Sequence, residues 1–220
     1  MFDMERHTFA FEIKIGQVYS FRSLLGNVWE ELTRFMDRNL INNFSMWAVD
    51  RITFCYYEMG KNGIISKEDK KFIHTTFNKF DGYINWISSP FEKMDLMYSN
   101  YGILRPKKEM IRHRVFMARL KEGCESEYKD RHDRLKKSNS EKGINMGPDS
   151  NFSIWHAQGY IFGYDEIDTS MEKDETPTSM KEKTDWETKQ LEIMEWISND
   201  MDWLTREVRP ACIRIAWHCL

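Results

Sequence analysis

The sequence predicts an α+β fold built from two tandem copies of one small module, and three observations carry the prediction. The pentapeptide Asn43-Phe44-Ser45-Met46-Trp47 returns as Asn151-Phe152-Ser153-Ile154-Trp155, and recurrence at a fixed offset is the signature of a repeated unit. Within each half the apolar period switches between two and three-to-four residues, so strands and helices alternate along the chain. Its 220 residues, 41% hydrophobic and 14% aromatic, suffice for one or two packed cores and exclude a disordered or fibrous protein.

The elements follow in order. Phe9, Phe11, Ile13 and Ile15 alternate and share one face of a strand. Leu25, Val28, Leu32, Phe35 and Met36 then step by threes and fours opposite Glu30, Glu31, Arg34 and Arg38, the stripe of a helix covering a sheet. Two strands, Phe44 to Val49 and Ile52 to Met59, flank a short turn at Asp50 and read as a hairpin. A second helix closes each copy. In the second half it is predicted from a capping box, Thr184-x-x-Glu187, with a stripe of Leu191, Met194, Ile197, Met201 and Leu204. Ala211 to Trp217 alternates after Pro210 and is expected to be the fourth strand of that copy.

Strand, helix, strand, strand, helix, strand is the ferredoxin-like split βαβ, whose sheet has both helices on one face. The open face needs a partner sheet. The expectation is therefore two tandem ferredoxin-like (βαββαβ) domains packed sheet to sheet as an intramolecular dimeric α+β barrel. Residues 1–104 and 114–220 are the domains and 105–113 a basic, solvated linker. Asp168 to Asp185, rich in Ser, Thr, Lys and Glu, reads as a mobile loop. The pairing allows a monomeric pseudo-dimer or a further homodimer.

A formal net charge of -3 and a pI near 6.1 provide no field for nucleic acid or a membrane surface. Neither a signal-peptide core nor eighteen consecutive apolar residues occurs, so the expected location is the cytoplasm. Cys55, Cys124, Cys212 and Cys219 lack zinc or disulfide spacing, and no metal is expected.

His132 lies four residues after Tyr128 on the first helix of the second copy, which sets both rings on one helical face with Cys124 and Leu135. An inward imidazole beside a phenol is a candidate proton-transfer pair, set against the commoner structural histidine. The first copy has Phe21 and Leu25 at the corresponding places, keeping the bulk and losing the polar atoms. Trp86 and Trp196 also correspond, on the second helices, as do Trp47 and Trp155 on the second strands; most tryptophans are core, but one in a pocket can stack on a sugar ring.

The second copy resembles the L-rhamnose mutarotases, small dimeric α+β-barrel proteins of the ferredoxin-like type. The resemblance is carried by Glu127-Tyr128-Lys129-Asp130-Arg131-His132, Asn151-Phe152-Ser153-Ile154-Trp155, the strand Tyr160 to Ile167, and Glu195-Trp196-Ile197 with Asp202. The first copy shares it more faintly, through Asn27-Val28-Trp29-Glu30-Glu31-Leu32. It implies that His132 is the proton donor in anomer interconversion of an aldose, that Tyr128 contacts the sugar, and that Trp196 stacks on it, with no cofactor. Phe152 stands where that family has a tyrosine, Ile197 where it has a second tryptophan, and Asp133-Arg134-Leu135-Lys136 where it has an Asn-Pro-x-Trp segment. Two other functions are carried beside it: a non-catalytic sugar- or small-molecule-binding barrel, and a cofactor-free monooxygenase or cyclase of the same architecture.

Overall fold

The computed structural model of the chain describes residues 4–60, 66–100, 104, 108–141, 149, 151–172, 174, 176–197 and 212–220. Alternation makes Met4–Ile13 a strand, β1, that buries Phe9, Phe11 and Ile13; Ile15 falls beyond its end and is exposed. A turn through Gly16, at a φ of 76° that an L side chain resists, leads into helix α1, Val18–Arg38. Its buried stripe is Phe21, Leu25, Val28, Phe35 and Met36. The hairpin of β2, Asn42–Val49, and β3, Ile52–Gly60, turns at Asp50 as the spacing predicts. Helix α2, Lys67–Asn78, starts where the Ser66 hydroxyl accepts the Asp69 amide at 3.0 Å, and strand β4, Ile84–Ser88, follows it. Phe9, Phe11 and Ile13 pack with Phe21, Leu25 and Val28, while Phe35 stacks on Phe72 at 5.3 Å, so both helices cover one face of the sheet.

The same order recurs in β6, Ile111–Leu120; α3, Glu125–Glu141; β7, Phe152–Ala157; β8, Tyr160–Asp168; α4, Pro177–Gln190; and β9, Met194–Trp196. Two further strands, β5, Asp95–Asn100, and β10, Ile213–His218, complete the sheets. All strand pairings are antiparallel, with order β10-β2-β3-β1-β4 in one sheet and β5-β7-β8-β6-β9 in the other. Each sheet is thus the four-strand ferredoxin-like arrangement with a fifth strand beside its second. The chain divides into two units, Met1–Lys93 with Ile213–Leu220, and Met94–Cys212. Each fifth strand follows, along the chain, the fourth strand of the other unit.

Several expectations need correction. The run predicted as a fourth strand does form β10, but it pairs with β2 of unit 1, because the edge of β6 is already occupied by β9. Trp86 and Trp196, expected on second helices, lie on the short strands β4 and β9. Thr184-x-x-Glu187 is not a helix start. Helix α4 begins a full two turns earlier, within the predicted loop, where Thr176 and Ser179 cap each other and Pro177 takes the first turn. The Thr184 hydroxyl instead donates to the Met180 carbonyl at 2.9 Å inside the helix. The spacing of Leu191 and Met194 looked helical because it spans a helix-to-strand turn, closed by Ile193 N donating to Gln190 O at 2.9 Å. Met201, Leu204, Asp202 and Pro210 lie outside the described residues.

The four cysteines are free thiols. Among the described residues no helix is long and apolar enough to cross a membrane.

Candidate functional site

Tyr128 and His132 sit one turn apart on the face of α3 that looks toward its own sheet, and both are buried. Their ring centroids are 4.3 Å apart. Two aromatic rings from other elements flank the imidazole: Tyr98 of β5 at 5.3 Å, and Trp186 of α4 at 5.4 Å and edge-on. Beyond them Phe152 meets Tyr98 at 5.5 Å, and Phe116 of β6 meets Trp196 edge-on at 5.9 Å. These residues wall a cavity of about 390 Å³ within unit 2, within the usual range for small-ligand sites. The four residues singled out from sequence, His132, Tyr128, Phe152 and Trp196, all line it.

The helix that carries His132 is pinned by its neighbour. Arg131 is buried, bonds Glu127 at 2.6 Å and Glu192 at 2.9 Å, and donates to the Lys189 carbonyl at the end of α4. A buried arginine shared by two carboxylates and a carbonyl fixes one geometry between the helices. Glu127 and Arg131 of the sequence motif are thus clamps, and Lys129 pairs at the surface with Asp133 at 2.7 Å.

His132 Nδ1 lies 2.9 Å from the Tyr128 carbonyl oxygen. A carbonyl only accepts, so Nδ1 carries the hydrogen and Nε2 is left as the lone-pair nitrogen. Burial pushes the imidazole down to about 4, outweighing the opposing Tyr128 bond and the Asp133 charge. At neutral pH the ring is uncharged and able to accept a proton. In this form Nε2 can accept a proton, and only the charged form could donate one from that atom. Burial, assisted by the negative charge of Glu187, raises the Tyr128 phenol well above its ordinary value, so it remains a neutral donor.

One wall of the cavity is ionic. Arg114 bonds Asp165 at 2.7 Å and Asp149 at 3.4 Å. Burial pushes the Asp165 carboxyl up; Arg114 works against that shift and Asp149 adds to it. Gln190, also lining the cavity, is buried, and neither its Nε2 nor its Oε1 has a hydrogen-bond partner.

Sequence reasoning missed Tyr98, Trp186, Glu187 and Gln190. Tyr98 lies on the exchanged strand β5, which falls in the first half of the chain. The other three were hidden by the misplaced start of α4. Once that helix begins at Pro177, Lys183, Trp186, Glu187 and Gln190 step by threes and fours along one face, which is the signal that finds them.

A family model described as L-rhamnose mutarotase matches residues 113–209, the stretch that holds His132, Tyr128, Phe152 and Trp196. Two solved structures are similar over most of the chain. One is a monooxygenase-like protein of Fusobacterium nucleatum subsp. nucleatum, with 10% identity, a TM-score of 0.42, and coverage of 88% of this chain and 89% of that one. The other is an anthrone oxidase-like protein, with 11% identity, a TM-score of 0.41, and coverage of 86% and 85%. No curated protein matches.

Proposed function

We propose that unit 2 interconverts the anomers of an aldose of the L-rhamnose type. The observation that carries this reading is the convergence of His132, Tyr128, Phe152 and Trp196 on one cavity, inside the segment matched by the mutarotase model. Trp196 offers an apolar face for the C–H side of the sugar ring, and Tyr128 offers a neutral O–H to a ring hydroxyl.

The imidazole acts as a base. His132 Nε2 removes the proton from the anomeric hydroxyl, the O1 electrons form the C1=O1 carbonyl, and the C1–O5 pair goes to O5, which is protonated by water. Rotation about C1–C2 and the reverse steps close the ring on the other face. The neutral tautomer fixed by Tyr128 is the form this sequence needs, and general base catalysis contributes typically 10²–10⁴-fold.

Saturation-transfer NMR on L-rhamnose tests the reading. Wild type is expected to accelerate anomer exchange and His132→Ala to lose that acceleration, roughly a hundredfold or more. The rate should be flat near neutrality and fall as pH drops through about 4, where Nε2 gains its proton; an imidazolium acid would give the opposite slope. Equal exchange in both proteins would remove His132 from the chemistry. Sugar affinity without exchange in wild type would favour a binding module, the reading to which the absence of a hydroxyl at Phe152 points.

A further inference from the structure

Unit 1 holds a hollow of its own, with chemistry opposite to that of unit 2. Tyr83 N donates to Phe80 O at 2.7 Å as Ile193 N donates to Gln190 O at 2.9 Å, and Lys14 N reaches Tyr83 O at 2.8 Å as Lys121 N reaches Ile193 O at 2.9 Å. These matched anchors align the helix ends, so Phe77 and Phe80 stand where unit 2 has Glu187 and Gln190. Together with Phe9, Leu25, Met46 and Trp86 they leave about 110 Å³ unfilled between the helices and the sheet. Phe9, Phe77 and Trp86 meet one another edge-on at 5.6 to 6.3 Å.

Among the described residues of this wall, only Trp86 and Tyr57 carry a side-chain nitrogen or oxygen. Trp86 Nε1 donates to Asp81 at 3.4 Å. Burial, assisted by Cys55, pushes the Tyr57 phenol up to about 12, so it stays uncharged. A buried water needs two to four polar partners, and this wall does not supply them. An apolar ring instead gains dispersion contacts on every side and strands no polar group. Dry apolar cavities of about 150 Å³ take one benzene ring, which puts the limit here at a single ring. Phe91 marks the mouth: of the described lining residues it alone is exposed, at 51%, and its ring stacks on His74 of α2 at 4.1 Å. We infer that this hollow in unit 1 is a binding site for a single-ring apolar molecule, an arene or cycloalkane with at most one hydrogen-bonding group. The inference is independent of the sugar reading of unit 2.

Methyl NMR on the full chain tests it, with toluene, 2-naphthol and L-rhamnose as probes. Toluene is expected to shift the methyl signals of Leu25, Met46, Ile73 and Ile84 saturably, at about millimolar concentration, and to leave Ile154 and Met194 of unit 2 in place. At equal concentration 2-naphthol should occupy the site at least roughly tenfold less, because its second ring exceeds the space. L-rhamnose should leave those four signals unmoved. Ile84→Phe and Leu32→Phe each add bulk to the wall and should weaken toluene roughly tenfold or more, with thermal melts confirming the fold. The absence of a saturable toluene shift, or shifts confined to unit 2, overturns the site. So does unchanged toluene affinity in both folded variants. Equal occupancy by 2-naphthol overturns the single-ring limit, and a sugar-induced shift of the four signals overturns the apolar class. Should neither variant fold, the wild-type titrations with the three probes decide the matter alone.

Discussion

In unit 1 the space between helices and sheet is about 110 Å³ and is walled by Phe9, Phe11, Phe21, Leu25, Phe77, Phe80 and Trp86. The corresponding space in unit 2 is about 390 Å³ and admits His132, Glu187, Gln190, Arg114 and Asp149. The strand order and helix placement are the same, so the difference resides in a few side chains. Tyr128 replaces Phe21, His132 replaces Leu25, Glu187 replaces Phe77 and Gln190 replaces Phe80. In unit 1 Phe21 meets Phe11 at 5.3 Å and Phe80 at 5.5 Å, and Phe77 meets Trp86 at 5.6 Å, so the rings plug the centre. Exchanging those plugs for shorter or polar groups opens a hollow and places chemistry on its wall. Outside the hollow, Arg131 ties α3 to the end of α4 through Glu192 and the Lys189 carbonyl.

If unit 1 is held by its plug, truncating the plug must be severe. Phe21→Ala should destabilise by about 3–5 kcal/mol, seen as an earlier urea midpoint, whereas Tyr128→Phe in unit 2 should change stability far less. Near-equal effects would break the contrast. Next in size is a pH effect confined to unit 2. The folded pKa of His132, about 4, lies below the ordinary 6.5 of an unfolded chain. Below 6.5 the unfolded state therefore takes up a proton that the folded state refuses, and stability is lost as pH falls from about 6.5 to about 4, by about 3 kcal/mol. Urea melts across that window should show the loss in wild type and lack it in His132→Leu, which imports the unit 1 residue.

A smaller effect follows from the partners of the first strand. Phe116 pairs with Gly163, whereas Phe9 pairs with Cys55. A Cβ at Gly163 would lie 1.8 Å from the Phe116 ring, so that ring rests on the bare backbone. Gly163→Ala should push Phe116 into the cavity, costing about 1–3 kcal/mol and raising the half-saturation for sugar; unchanged melting and binding would show that the ring has room elsewhere. The smallest change carries the opposite sign. Gln190 buries an amide with both polar atoms unpartnered, so Gln190→Met should stabilise the ligand-free protein by about 1 kcal/mol, read as a higher Tm.

Elements whose apolar period is uninterrupted were legible in the sequence. The stripe of α1 and the hairpin at Asp50 stand where the spacing places them. The inward pair Tyr128 and His132 was legible for the same reason, since four residues on a helix is a local rule. What the sequence concealed depends on non-local facts. Nothing near Tyr98 tells that β5 pairs with β7 and brings the phenol to His132. The place of Glu187 on the cavity wall was masked because Thr-x-x-Glu is equally a cap and an ordinary helical spacing, and only the Thr176–Pro177 start decides between them. Proton affinity was illegible for a further reason, since the drop in His132 comes from burial among rings on three different elements.

The crossing of β5 and β10 has a consequence for anyone wishing to dissect the molecule. Scission between Asn100 and Ile111 leaves the amino-terminal fragment without the strand that borders β2, and the carboxyl-terminal fragment without the one that borders β7. Each piece would carry the missing edge of the other. The halves should therefore behave as a complementation pair, regaining their native hydrogen-exchange protection when mixed.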